Sequence, residues 1–125
     1  MTKTTPRTAM DRTQDLIDPL WRTDIHLNEL TLGPRSIRVN AIHPTNVDTD
    51  MLHNEPMYRT FRPDLESPTR ADAEPSFPFL QAMPIPYVDP SDISHAVVYL
   101  ACDESRFVTG QQLFVDAGAG LKMGL

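Results

Sequence analysis

The sequence has 125 residues, of which 40% are hydrophobic, enough for one small domain and too many for a wholly disordered chain. Its formal net charge of −6 speaks against a nucleic-acid partner held by phosphate contacts and against binding to an anionic membrane surface. The longest apolar stretch is too short to span a bilayer, no secretory leader is expected, and the single cysteine predicts a reducing, cytoplasmic setting.

The first part of the chain predicts a polar tail followed by a helix. Residues 1–14 are polar and threonine-rich, so we expect a frayed terminus. Apolar residues then recur near the helical spacing over residues 15–32, where Pro19 should begin the helix or kink it. Gly33 and Pro34 should end this helix.

A first strand is predicted over residues 36–42, closed by His43 and Pro44. Nine of the 12 prolines then lie from Pro44 to Pro90. Because proline lacks an amide donor and fixes φ, residues 45–90 should form a long ordered loop with short helical pieces, one of them a short helix over residues 50–59.

The last part of the chain predicts a capped helix and a second strand. Asp89 is the expected N-cap of a helix that begins at Pro90 and ends near Cys102. A strand follows over residues 112–116, and residues 117–120 end it. The residues expected on the buried face of the helix are Ile93, Ala96, Val97, Leu100 and Ala101.

Strand, long crossover and strand in this order indicate a parallel pair and an α/β fold. A parallel sheet of two strands needs further strands beside it and helices on both faces to be buried. The chain is therefore expected to be incomplete as a domain.

Four motifs in this order resemble the short-chain dehydrogenase/reductase (SDR) family. They are GPRSIRVNAIHP at 33–44, PTNVDT at 44–49, the helix at 89–101 and FVTGQQLFVDAG at 107–118. The second is similar to the family pattern P-G-x-V-x-T, with Thr45 in place of glycine. With MLHNE at 51–55, it resembles an actinobacterial branch of carveol-dehydrogenase-like and mycofactocin-coupled enzymes.

The resemblance implies that residues 28–122 are the C-terminal portion of a Rossmann-like doubly wound parallel sheet, behind a divergent segment of residues 1–27 that is partly disordered. This portion would hold two strands, two main helices and a substrate lid over residues 45–90, called the lid segment below. The family reaction is hydride transfer between an alcohol or ketone and NAD or NADP, with NAD favoured here.

The resemblance also implies site residues. Backbone groups at Val47 and the hydroxyl of Thr49 would contact the nicotinamide carboxamide or the pyrophosphate, at the carboxyl end of a parallel strand. The implied cofactor contacts, as vestigial positions, are Pro44, Thr45, Asn46, Val47 and Thr49. The residues implied to line an apolar pocket under the lid are Met51, Met57, Phe61 and Phe79.

Two motifs of the family are missing from the sequence. Gly33 is the only glycine before residue 110, so there is no glycine-rich turn for a pyrophosphate, and no helix is expected in the five residues after Gly120. The catalytic Tyr-x-x-x-Lys pair is absent, because Tyr58, Tyr87 and Tyr99 lack a lysine four residues later. We therefore assign no catalytic residue and expect no tight cofactor binding by this chain alone.

Two interpretations remain open at this point. The chain is either a truncated dehydrogenase without independent catalysis or a non-catalytic interaction module that associates with an intact relative. In the family, the last helix and strand commonly form a subunit interface, so residues 90–117 are the implied surface for a homo- or hetero-oligomer. The spacing of the four histidines does not match a metal site, so no metal is expected.

Overall fold

Two parallel strands form the sheet in the computed structural model, which describes residues 30–125. They are β1 (Ala41–Pro44) and β2 (Gln112–Val115). The amide of Ala41 donates to the carbonyl of Gln111, and the amide of Thr45 donates to the carbonyl of Val115. Both pairs have the same separation along the chain, as a parallel ladder requires. The expected α/β fold with a parallel strand pair is confirmed.

The described part of the chain begins with the end of a helix. Residues 30–32 are helical, and the 3₁₀ turn Gly33–Arg35 follows, so the helix ends where Gly33 and Pro34 predicted. The expectations for residues 1–14, for residues 1–27 and for Pro19 lie outside the described residues.

The first strand begins later than predicted. The sequence predicted residues 36–42, but β1 covers Ala41–Pro44 and includes the two residues that were expected to close it. Before Ala41, a side chain replaces part of the ladder, because the amide of Val39 donates to Oγ1 of Thr109 at 3.1 Å. A threonine hydroxyl satisfies this amide without the regular pairing that defines a strand.

The lid segment contains two short helices, α1 (Glu55–Phe61) and α2 (Arg70–Ala73), with a 3₁₀ helix at Glu74–Phe79. The prediction of a helix over residues 50–59 was wrong at its start. The side chain of Asn54 accepts the amide of Met57 at 2.9 Å and caps α1, so residues 50–54 form turns instead.

A small hydrophobic core lies inside the lid segment. Phe77 and Ala73 are fully buried and Leu52 is nearly so. Partly buried side chains pack around these three: Met57, Tyr58, Phe61 and Tyr87. The lid segment therefore buries apolar surface of its own.

Helix α3 (Pro90–Ala101) confirms the predicted capped helix. Asp89 accepts the amide of Ser91 at 2.8 Å, and Asp92 accepts the amide of Asp89 at 3.0 Å. The predicted face is the less exposed one, because Ile93, Ala96 and Leu100 are half-buried. It is not fully buried, however: Val97 is 50% exposed, Ala101 is exposed, and no residue of α3 is buried. The sheet beside it has two strands among the described residues, too few to cover a helix of this length.

We expect the cap of α3 to make stability depend on pH. Hydrogen bonds from the Ser91 side chain and amide lower the pKa of Asp89, so its stabilising effect is complete above the ordinary carboxyl pKa and is lost as the pH falls below it. Asp89→Ala should therefore have a lower melting temperature than the wild type at pH 6. This difference in melting temperature should shrink below about pH 4. Thermal melts followed by circular dichroism measure this, with the exposed Glu104→Ala as control. A difference that persists undiminished at pH 2.5 contradicts the assignment.

A fourth short helix, α4 (Ala119–Met123), follows β2. The expectation that no helix forms after Gly120 was wrong. The carboxylate of Asp116 accepts the amides of Gly118 and Gly120 at 2.9 and 2.7 Å and so satisfies the free donors at the start of a single helical turn.

Gly118 is required by its backbone and by its neighbour. Its φ is +79°, and a Cβ there would lie 2.7 Å from the Cβ of Ala82. Gly118→Ala should lower the free energy of unfolding by about 1–3 kcal/mol, through left-handed strain and overpacking. The matched control is Gly124→Ala, because Gly124 also has a positive φ (+82°) but open space around it. Urea denaturation measures both, and equal midpoints would contradict the predicted clash.

Candidate functional site

A cavity of about 420 Å³ lies at the carboxyl end of the two strands. Pro44, Thr45 and Asn46 line it where the chain leaves β1, and Phe114 and Asp116 line it from the end of β2. Carboxyl ends of parallel strands meet at one edge of a sheet, and ligands of open α/β folds bind outside that edge. The cavity is therefore the candidate site.

One wall of the cavity is apolar. The ring of His43 stacks on that of Phe114, with centroids 4.8 Å apart and planes inclined by 19°. Phe114 remains 45% exposed, and Leu80 and Met123 complete this wall. A flat ring can pack against such a surface.

The polar wall is held in place by backbone hydrogen bonds. Asp116 has both carboxylate oxygens engaged by backbone amides at the start of α4, those of the cap residue Gly118 and of Gly120, so its side chain shapes the wall. Lys122 donates to the carbonyls of Phe79 and Gln81 at 2.7 and 3.1 Å and fixes the part of the lid segment that follows the 3₁₀ helix beside α4.

The turn after β1 carries the residues that the resemblance implied as cofactor contacts. The side chain of Asn46 donates to the carbonyl of Pro86 at 3.4 Å, and Val47 forms an isolated parallel bridge with Val88. The exposed hydroxyl of Thr49 lies 3.4 Å from the carbonyl of Val47. The structure thus brings Pro44, Thr45 and Asn46 together at the cavity, whereas Val47 and Thr49 lie beyond its lining.

The four implied lid residues do not gather in one pocket. Met57 and Phe61 pack against the core of the lid segment, whereas Met51 and Phe79 are 81% and 75% exposed. Met57 and Phe61 therefore contribute to packing inside the lid segment, whereas Met51 and Phe79 are available for contact with another molecule.

A polar network in the lid segment was missed by the sequence analysis. Nε2 of His53 lies 2.6 Å from Oδ1 of Asp48, and Arg70 donates to Glu74 at 2.9 Å. The hydroxyl of Tyr87 accepts from Arg70 and donates to Glu74. The hydrogen bond from Arg70, and to a smaller extent the one from Tyr87, lowers the pKa of Glu74. The one signal of this network in the sequence is the four-residue spacing of Arg70 and Glu74, which is that of an ion pair along a helix.

Two further properties concern only the part of the chain from residue 30 onward. No group of three or more histidine, cysteine, aspartate or glutamate side chains is placed there to hold a metal ion. No helix in that part is long and apolar enough to cross a membrane.

Comparison with known proteins gives consistent matches. A family profile described as enoyl-(acyl carrier protein) reductase matches residues 30–120. The chain is 47% identical over 93 residues to (-)-trans-carveol dehydrogenase of Rhodococcus erythropolis, which covers 74% of this chain and 34% of that protein. It is 50% identical over 91 residues to a putative short-chain type dehydrogenase/reductase of Mycolicibacterium smegmatis, covering 73% of this chain and 33% of the relative.

A solved structure matches as well. It is the crystal structure of carveol dehydrogenase from Mycobacterium avium in complex with NAD, with a TM-score of 0.75 and 49% identity over 80% of this chain and 36% of that one. The chain therefore spans about a third of the length of the relatives it matches.

Proposed function

Because the chain belongs to the short-chain dehydrogenase/reductase family, in its carveol-dehydrogenase-like branch, we propose that it supplies two parts of an NAD-dependent alcohol dehydrogenase. These are the substrate lid and the edge of the sheet that contacts the nicotinamide ring, called the nicotinamide edge below. The resemblance seen in the sequence is confirmed, and so is the fold class, a portion of a Rossmann-like sheet.

The observation that carries the proposal is the cavity beside Pro44, Thr45 and Asn46. It lies at the strand edge where this class of fold binds its ligands, and it has one aromatic wall and one polar wall. The exposed Thr49 hydroxyl, next along the turn, offers a hydrogen-bond donor to a carboxamide.

The residues present fit one end of the cofactor. The cavity and its turn suit a planar nicotinamide, whereas the sequence has no glycine-rich turn to hold the pyrophosphate. When bound, the cofactor supplies the hydride acceptor, and this chain would orient the ring. NAD is favoured over NADP because the Mycobacterium avium neighbour was solved with NAD. The lone cysteine, Cys102, supports a cytoplasmic setting.

Catalysis would need groups that this sequence lacks. A general base must reach the hydroxyl of the substrate, and no Tyr-x-x-x-Lys pair is present to serve. We therefore propose that the chain acts only together with a glycine-rich half that carries this pair.

A chimera tests the proposal. Residues 30–120 replace the matching segment of the Rhodococcus erythropolis carveol dehydrogenase, and NAD reduction with carveol is followed by absorbance. The proposal predicts activity within about tenfold of the parent enzyme. A tenfold loss of rate corresponds to about 1.4 kcal/mol of activation free energy, the cost of a slightly misplaced segment. A chimera that folds and binds NAD as the parent does, yet gives no turnover, would overturn it.

The alternative of a non-catalytic interaction module is favoured by one observation. Val97 and Val98 on α3 are 50% and 63% exposed, and Phe114 on β2 is 45% exposed, all within residues 90–117. Apolar side chains exposed in this number mark a surface suited to association with a second copy or an intact relative.

Sedimentation tests this second candidate. The wild type should associate at high micromolar concentration, and Val98→Asp should weaken association whereas His95→Asn, an exposed change on the same helix, should not. A compact monomer of the wild type under these conditions rules out self-association.

A further inference from the structure

The two ends of the lid segment are joined by a ring of side chains. Asp48, just after β1, lies 2.6 Å from Nε2 of His53 and 3.6 Å from the guanidinium of Arg70. Arg70 in α2 donates to the hydroxyl of Tyr87 at 2.9 Å and lies 5.7 Å from the centre of its ring. Tyr87 stands near the far end of the lid segment, so two contacts, Asp48 with Arg70 and Arg70 with Tyr87, lead from one end to the other.

Main-chain hydrogen bonds close the same ring. The amide of Val88 donates to the carbonyl of Asn46 at 2.9 Å, and the amide of Asp48 donates to the carbonyl of Val88 at 3.0 Å. The amides of Leu52 and His53 both donate to the carbonyl of Thr49 at 2.9 Å. Side chains and backbone therefore hold the turn that carries Thr49 against the returning chain.

His53 is a largely buried member of the ring. Its side chain is 11% exposed, and it contacts three aromatic rings, with the ring of Tyr87 edge-on at 5.5 Å. Among the described residues its Nδ1 has no hydrogen-bond partner, so the ring proton is placed on Nε2, facing the carboxylate. The hydrogen bond joins this ring to a carboxylate whose side chain is 41% exposed.

We propose that Asp48, His53, Arg70 and Tyr87 form a latch that keeps the lid segment folded onto the turn after β1 before any ligand binds, with His53 as its positioning residue. The inference rests on the proposed function in that this turn would contact the cofactor. The lid then arrives at its ligand already ordered, so binding does not have to order some forty residues of loop.

Hydrogen exchange of the whole chain tests the latch without any cofactor. The amides of Asp48, Leu52, His53 and Val88 report on the lid, and those of Gly118 and Gly120, bonded to Asp116, serve as reference. The latch predicts that the four lid amides are protected and exchange together. Exchange of these amides at the rate of an unstructured peptide would overturn the proposal.

Variants separate the latch from general packing. His53→Phe keeps an aromatic ring but removes the donor to Asp48, and it should speed exchange of the lid amides about tenfold while the reference amides stay unchanged. His53→Gln retains an amide donor and should restore most of the protection. The matched control is His95→Phe on the exposed face of α3, which should change neither set.

Arg70→Gln extends the test if His53→Phe does not fold. Arg70 is 46% exposed at its side chain, so its replacement removes the contacts to Asp48 and Tyr87 without opening the core. It should speed exchange of the same four amides while the reference amides stay unchanged. No change in the exchange of the four lid amides would overturn the latch. Because NAD is absent throughout, failure here is distinguishable from failure of the proposed function.

Discussion

The chain alone is expected to show no micromolar binding of NAD(H) and no NAD reduction with cyclic or secondary alcohols. Micromolar affinity corresponds to about 8 kcal/mol of net binding free energy. The hydroxyl of Thr49 and backbone groups at Val47 offer hydrogen bonds worth roughly 1 kcal/mol each, and immobilising a ligand costs about 4–15 kcal/mol. The missing general base alone lowers the rate by about 10²–10⁴.

Calorimetric titration with NAD(H), together with absorbance of reduced nicotinamide, measures both parts of this prediction. The parent carveol dehydrogenase serves as the positive control under the same conditions. Micromolar binding or turnover above a buffer blank by this chain would show that other residues carry the site.

Phe77→Ala is expected to be the most destabilising single change in the lid segment. Phe77 is fully buried, and its ring lies 4.6 Å from that of Phe61 in an edge-on contact. Truncating a buried phenylalanine to alanine removes transfer free energy and leaves a cavity, at a cost of about 3–5 kcal/mol. That is a large fraction of the about 5–15 kcal/mol that holds a typical domain together.

The matched control for this change lies two residues away. Phe79 is 75% exposed, so Phe79→Ala removes the same side chain from a surface and should stay within about 0.5 kcal/mol of the wild type. Urea denaturation followed by circular dichroism compares the two variants. Equal midpoints for Phe77→Ala and Phe79→Ala would show that the lid core contributes nothing to stability.

Local signals made part of the fold predictable from the sequence. Asp89 and Pro90 start α3 where expected because a cap acts within one turn, and β2 follows its apolar run. The start of β1 and the helix α4 were missed because each depends on a side chain elsewhere, Thr109 for the first and Asp116 for the second. Helical periodicity identified the less exposed face of α3 but not how deeply it is buried, because that depth depends on neighbours that periodicity does not reveal.

The candidate site was predictable where a motif is continuous along the chain. Pro44, Thr45 and Asn46 are consecutive, and they line one cavity as a strand-end motif suggests. The latch was not predictable, because Arg70 and Tyr87 are 17 residues apart in a segment whose course the sequence pattern does not predict. No helical or strand periodicity predicts burial in a proline-rich loop. For this reason the buried Phe77 could not be distinguished from the exposed Phe79 before the structure was known.

The most direct test of the central claim, that this chain supplies the nicotinamide edge, is the dissociation constant of NAD for the carveol dehydrogenase chimera carrying Thr49→Val. Loss of one hydrogen bond to the cofactor should raise that constant by roughly three- to tenfold. Thr60→Val is the control, because the hydroxyl of Thr60 in α1 is also exposed and donates to the carbonyl of Pro56 in the lid. A raised constant for Thr49→Val alone is the predicted result. Equal constants for the two variants would contradict the claim.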